Sequence, residues 1–320
     1  MGSILGSVRV ACAEVAQGAR FVRITSELDS YAKGLGLVNL PKPYYDLRHH
    51  YYSSDPEALA AFVITLNAIN FGSGYFSSLI LRPGLSGYFT IAMGLKEHFE
   101  NEGPLSACDL SSLDAEALSK IFRQNLCNPI RSELLALFAQ ALNDLGSYLN
   151  FAHQGQFLKL VEAANHSAEN LIKFLIKMPL YRDVFYLRGL EVPFYKRAQI
   201  TVSDLALAFS GQGAGEFHDL DELTIFADNL VPHVLWVDKV LEYDDDLVSR
   251  IVQGRELKSG STEEIELRAV TLHAVEEMTA VLKKNRIFIT ARNLDIFLWN
   301  RGQAEYYKHV PSHRTRTTFY

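Results

Sequence analysis

Asp228 stands in the run Phe226-Ala-Asp-Asn-Leu-Val-Pro-His-Val-Leu-Trp236, where almost every near neighbour is apolar. A carboxylate in such surroundings is partly desolvated, and burying an ionised group is costly unless neighbours compensate. Such a group is either satisfied locally or used. Satisfied locally, Asp228 caps a helix that starts in Asn-Leu-Val-Pro, its side chain accepting from otherwise orphaned backbone N–H groups. Used, it is a general base, a nucleophile or an electrostatic stabiliser of developing positive charge. The run by itself leaves both readings open.

Asp295, in Leu-Asp-Ile-Phe-Leu-Trp299, repeats the situation. It either caps its helix or accepts hydrogen bonds from a buried partner or ligand. In Glu191-Val-Pro-Phe-Tyr-Lys-Arg-Ala-Gln199 a tight turn leads directly into a helix start. Backbone amides there can receive a phosphate, with Lys196 and Arg197 adding positive charge. The plainer reading is a turn with two solvated cations. His49 and His50, in Tyr44-Tyr-Asp-Leu-Arg-His-His-Tyr-Tyr52, are adjacent and so poorly placed to share a metal. Without a His-x-x-x-His spacing, hydrogen bonding to a ligand or a core-edge role fits better than zinc. Asn67-Ala-Ile-Asn-Phe-Gly-Ser-Gly-Tyr-Phe76 reads as a helix end turning through Gly72 and Gly74. Its aromatics, Phe71 and Phe76 among them, offer faces for stacking a planar ring or belong to the core. Gly211-Gln-Gly-Ala-Gly215 is followed by acidic residues and lacks the Lys-Ser/Thr of a phosphate loop, so it reads as a flexible connection.

Helical periodicity must position these residues. Asp55-Pro-Glu-Ala reads as a capped helix start. Further helices are expected from Ser112, over 131–149, over 157–178 with Pro179 ending it, from Ser261 to about Lys284, and from Asn293 to Trp299. Short extended pieces are expected near 21–24 and 87–91. The reading is a mostly α-helical single domain over 1–320, with residues 1–43 as an N-terminal extension or lid.

Composition narrows the function. The 320 residues carry a net charge of −6, and only His309 to Arg316 is visibly basic. Duplex nucleic acid is therefore a poor partner, because phosphate neutralisation supplies most of such binding. A small anionic ligand needs only a few cations. Cys12, Cys108 and Cys127 lack metal-site or disulfide spacing and suit a reducing compartment. With no membrane-length apolar run and no signal-peptide pattern, the expected location is the cytoplasm.

Read together, several segments resemble the queuosine salvage protein family. They are Tyr45-Asp-Leu-Arg-His-His-Tyr, Leu66-Asn-Ala-Ile-Asn-Phe-Gly-Ser-Gly, Pro193-Phe-Tyr-Lys-Arg-Ala-Gln-Ile, Leu223-Thr-Ile-Phe-Ala-Asp-Asn-Leu-Val-Pro-His, Glu264-Ile-Glu-Leu-Arg-Ala-Val, Leu294-Asp-Ile-Phe-Leu-Trp and His313-Arg-Thr-Arg-Thr-Thr-Phe-Tyr. The resemblance implies a fold like helix-hairpin-helix DNA glycosylases and hydrolysis of the N-glycosidic bond of queuosine 5′-phosphate, or of queuosine, to release queuine. It implies that Asp228 is the catalytic residue and that Lys196 is the hairpin lysine. Beyond that resemblance, the expected substrate contacts are Lys196, His49, Phe71, Phe76, Asn229, His233, Trp236, Asp295 and Arg314. Family members often carry Tyr-Arg where this chain has Asn229-Leu230. No metal or cofactor is expected. The alternatives are a non-catalytic queuine or 7-deazaguanine binder and a DNA glycosylase.

Overall fold

The structure is a computed structural model that describes residues 3–36, 40 and 42–320. Its elements run α1 (Ile4–Gln17), β1 (Val22–Ile24), α2 (Leu28–Gly36), α3 (Pro56–Ala68), α4 (Gly87–Asn101), α5 (Ala107–Leu110), α6 (Ala115–Ile121), α7 (Pro129–His153), α8 (Phe157–Ala163) and α9 (Ala168–Leu175). There follow β2 (Val184–Leu187), β3 (Leu190–Pro193), α10 (Lys196–Ala208), α11 (Leu230–Val237), β4 (Leu241–Tyr243), α12 (Asp245–Val252), α13 (Thr262–Lys284), α14 (Ala291–Arg301) and α15 (Glu305–Lys308). The protein is mostly α, and the described strands form two antiparallel pairs, β1 with β4 and β2 with β3. No described helix is long and apolar enough to cross a membrane.

The chain divides into two compact units built from interleaved segments. The first comprises Met1–Pro43, Asp183–Lys196 and Asp221–Arg316; the second Tyr44–Arg182, Arg197–Leu220 and Thr317–Tyr320. Of the 1–43 stretch, residues 1, 2, 37–39 and 41 lie outside the described residues.

In the first unit α13 is the central helix. It packs against α1, α2, α11, α14 and β1. Ser261 caps it by accepting from Glu264 N, as the sequence pattern predicts. Its first turns bury Glu264, Glu266 and Arg268 completely, which is costly unless each is paired. Glu266 is paired: it accepts from the N–H groups of Arg20 and Phe21 at 2.8 and 2.7 Å, and from Arg188. These bonds fix the entry to β1 and the turn between β2 and β3. That turn is made by Arg188 and Gly189, both with positive φ, which suits the twist of a two-residue hairpin.

In the second unit α7 is central, packed against α3, α5, α6 and α8. Asn128 caps it and Pro129 takes its first position. Two sequence expectations fail here. The predicted helix 157–178 is broken into α8 and α9, because Asn165 and His166 adopt left-handed backbone and Ser167 caps a new start. Asp219 holds that start, accepting from the N–H groups of Ala168 and Glu169. The stretch 87–91, expected to be extended, opens α4, with the Ser86 side chain accepting from Phe89 N.

Gly146 lets α7 and α5 approach closely. A Cβ there would press on the Ala107 carbonyl and lie 2.6 Å from Ser111 N. Alanine normally gains helix propensity over glycine by about 1 kcal/mol, but backbone cannot yield as a side-chain tip can. Gly146→Ala is expected to destabilise the protein by about 1–3 kcal/mol. Urea unfolding of the two proteins checks this, and an unchanged or raised midpoint would contradict it.

Candidate functional site

Residues 223–227 form a buried, non-helical approach to α11. Two contacts hold it. Phe226 N donates to Asp295 Oδ1 at 2.9 Å, and Arg268 Nε donates to the Ala227 carbonyl at 2.8 Å. The next residue is Asp228. Its Oδ1 accepts from Leu230 N at 2.8 Å and Val231 N at 3.2 Å. Asn229, immediately before the helix, makes no side-chain cap bond, so Asp228 supplies it. The cap reading of the sequence therefore holds for one oxygen. The other, Oδ2, has no hydrogen-bond partner among the described residues. Capping and chemistry are compatible, since one oxygen positions the group and the second remains available.

Asp228 retains some exposed surface, yet its carboxyl group lies deep enough that burial raises its pKa. Lys196 opposes that rise most, followed by the amides of Leu230 and Val231 and then the charge of Arg268. Asp295, on α14, is almost wholly buried. Burial first, and the charge of Asp228 second, hold its pKa well above the ordinary carboxylate range; the Phe226 N–H and Lys196 pull the other way. Two carboxyl groups in one neighbourhood are thus pushed apart, with Asp295 the better holder of a proton.

Lys196 opens α10 and is buried. Its backbone N–H donates to Asp183 Oδ2 at 3.2 Å, while Phe194 N donates to the Asp183 carbonyl. Tyr195, between them, is held at φ 53°. The turn into a helix at Lys196 is as the sequence predicts, but the element before it is the β2–β3 hairpin. One of the amides expected to receive a phosphate is taken by Asp183.

Other predicted residues fall as follows. In the first unit, His233 Nε2 donates to the Tyr307 carbonyl at 2.9 Å, so Nδ1 is its unprotonated nitrogen. Trp236 stacks on Tyr243 at 4.9 Å, which covers one face of the indole. Arg314 is exposed, and its carbonyl accepts from Leu257 N. In the second unit, His49 Nδ1 meets Asp46 Oδ2 at 2.6 Å and its ring lies 4.3 Å from Phe89. Phe71 is enclosed between Phe138 and the Arg197 guanidinium, a core placement. Phe76 lies over Gly87. Arg197, read as a phosphate contact, directs its guanidinium to the carbonyls of Ala68 and Leu180. Among the described residues no cluster of three or more His, Cys, Asp and Glu side chains is placed to hold a metal ion.

Sequence reasoning did not single out Asp183 or Arg268. The available signal was Arg268 itself, a cation in the mostly apolar stretch from Ile265 to Leu272, with Glu264 and Glu266 close by in sequence.

The family model described as queuosine salvage protein matches residues 49–320. The chain belongs to the queuosine salvage protein family. It is 37% identical over 281 residues to a Sphaerobacter thermophilus protein named queuosine 5′-phosphate N-glycosylase/hydrolase, covering 85% of each chain. Proteins of the same name from Dictyostelium discoideum and Mus musculus are 35% and 30% identical. These matches cover 84% and 82% of this chain and 80% and 82% of theirs. In this member of the queuosine salvage family, Asp228, Lys196 and Asp295 all lie within the matched residues.

Near the site, His313 is buried and neither of its ring nitrogens has a hydrogen-bond partner among the described residues. Burial, with His233 and Arg268 nearby, pushes its pKa down to about 3. A histidine neutral when folded contributes stability that is present above its unfolded value of 6.5 and is lost as pH falls towards 3. Between pH 7 and pH 5 this single group is expected to cost about 2 kcal/mol. Denaturant unfolding of the wild type and His313→Gln at both pH values reads the difference. An equal loss in both proteins would contradict it.

Proposed function

We propose that this chain hydrolyses the N-glycosidic bond of queuosine 5′-phosphate and releases queuine, with Asp228 as the catalytic carboxylate. One observation carries the residue assignment. Asp228 has one oxygen tied to two helix amides and the other without a hydrogen-bond partner among the described residues, beside Lys196 and Asp295. The names of the relatives support the reaction and substrate.

Breaking a bond from ribose C1′ to a nitrogen of the base leaves an oxocarbenium-like sugar. A carboxylate at Asp228 stabilises that charge and needs no reorganisation, because its orientation is already fixed by the helix start. The same oxygen can take a proton from attacking water or bond to C1′ to form a covalent sugar intermediate. A 7-deazaguanine has no N7 to accept a proton, so the reaction leans on charge stabilisation at the sugar. Lys196 favours the ionised form of Asp228. Asp295, held through Oδ1 by Phe226 N–H, offers its second oxygen to the polar edge of the base. Lys196 and Arg314 supply positive charge for the 5′-phosphate. The proposed place of action is the cytoplasm, and the net charge of −6 speaks against duplex nucleic acid as a partner.

Incubation with queuosine 5′-phosphate, followed by mass spectrometry for the free base, tests the activity. Asp228→Asn is expected to fold and to release base at a rate lower by on the order of a thousandfold. The reactive form is ionised, so wild-type kcat/KM is expected to fall on acidification, with a midpoint above the ordinary carboxylate value. Binding without release by the wild type would favour a carrier, and near-normal release by Asp228→Asn would remove Asp228 from the chemistry.

A further inference from the structure

Lys196 and Asp228 are 32 positions apart on different elements, yet a single buried ion pair holds both. Asp183 and Arg268 meet through two parallel hydrogen bonds, Nη1 to Oδ1 at 2.9 Å and Nη2 to Oδ2 at 2.6 Å. The two ends of this pair reach in different directions. Asp183 Oδ2 also accepts the backbone N–H of Lys196, and the Asp183 carbonyl accepts Phe194 N. Arg268 Nε donates to the Ala227 carbonyl, one peptide before Asp228. The guanidinium lies 4.0 Å from the Phe194 ring centroid, so its plane is fixed as well as its charge.

We propose that the Asp183–Arg268 pair positions Lys196 and the Asp228 carboxylate as one rigid charge arrangement, with Arg268 acting on the reaction through Asp228 rather than by touching substrate. This rests on the reading of Asp228 as the catalytic carboxylate. Three features favour it over a pair that serves stability alone. An isolated buried ion pair gives little net stability relative to well-packed apolar residues. Here the Nε–H, which the pairing of Nη1 and Nη2 with Asp183 does not use, goes to the peptide that leads into Asp228. And only a planar fork can hold Asp183 through both Nη groups while Nε–H points at Ala227; a lysine cannot.

Other charges bear on the same groups. Asp228 is faced by Lys196 from α10, Asp295 from α14, Arg268 from α13 and the first amides of α11. Arg268 is faced by Asp183 and by Glu264 at 3.7 Å, with Cys12 and His313 nearby. Arg268 is therefore one of two cations that favour ionised Asp228, and its removal is expected to raise the Asp228 pKa further.

Arg268→Gln alone would strand a buried carboxylate, so the test uses the neutral pair Asp183→Asn with Arg268→Gln, beside Arg268→Lys. Folding is checked by circular dichroism and a cooperative melt. With queuosine 5′-phosphate, the neutral pair is expected to lose kcat by on the order of ten- to a hundredfold. KM should change by less than about threefold, and the acidic limb of kcat/KM should move to higher pH. Arg268→Lys keeps the charge and loses the fork, so kcat falls while the acidic limb stays near that of the wild type. The Asp228 carboxyl carbon, titrated by ¹³C NMR, reads the same upward shift in the neutral pair without turnover. An inactive wild type would sink the reading of function alone, because the NMR titration still decides the positioning role. A folded neutral pair with wild-type kcat, or with an unmoved Asp228 titration, would overturn that role.

Discussion

A fully buried guanidinium that must answer two partners at once is the constraint on which the first unit depends. Arg268 sits on the central helix α13 and satisfies Asp183 and the Ala227 carbonyl at once. A buried charge of this kind is tolerated only when nearly all of its donors are met. The hairpin, the start of α10 and the approach to α11 must therefore keep their places relative to α13. Glu266, two residues earlier, does the same for the entry to β1. The polar interior of α13 thus acts as a frame for loop backbone that would otherwise be free to shift.

Within that frame the proposed chemistry turns on two neighbouring carboxyl groups. Asp228 is desolvated but supported by helix amides, Lys196 and Arg268. Asp295 is more deeply buried and also feels the negative charge of Asp228. Burial raises the pKa of both groups, and raises Asp295 the more because the charge of Asp228 adds to it. Asp228 is capping residue and candidate catalyst together because a carboxylate has two oxygens. The helix start consumes one and, in doing so, aims the other.

Much of this was legible from local sequence, and the legible parts share a cause. Helix starts at Asp55 and Ser261 were readable because a short polar side chain before an apolar run has one economical use. Asp228 and Asp295 drew notice because a carboxylate among large apolar residues needs a partner or a purpose. What was missed depends on contacts distant in sequence. The break at Asn165 and His166 relies on Asp219, some fifty positions on, to hold the next helix start. The run at 87–91 is rich in aromatic and β-branched residues that favour strands, yet Ser86 caps it as a helix. The β2–β3 hairpin turns at Arg188-Gly189, where only glycine carried a turn signal. Arg268 and Asp183, 85 positions apart, could not be paired without the fold. Phe71, whose aromatic ring suggested stacking on a base, is instead enclosed by Phe138 and Arg197.

Catalysis by Asp228 requires the sugar to lie against its side chain. A crystal structure of Asp228→Asn bound to intact queuosine 5′-phosphate is the most direct measurement. The expected result is the ribose anomeric carbon within about 3.5 Å of the residue 228 side chain, on the oxygen or nitrogen not engaged by Leu230 and Val231. A nucleotide bound with its anomeric carbon far from that side chain, facing other polar groups, would contradict the central claim.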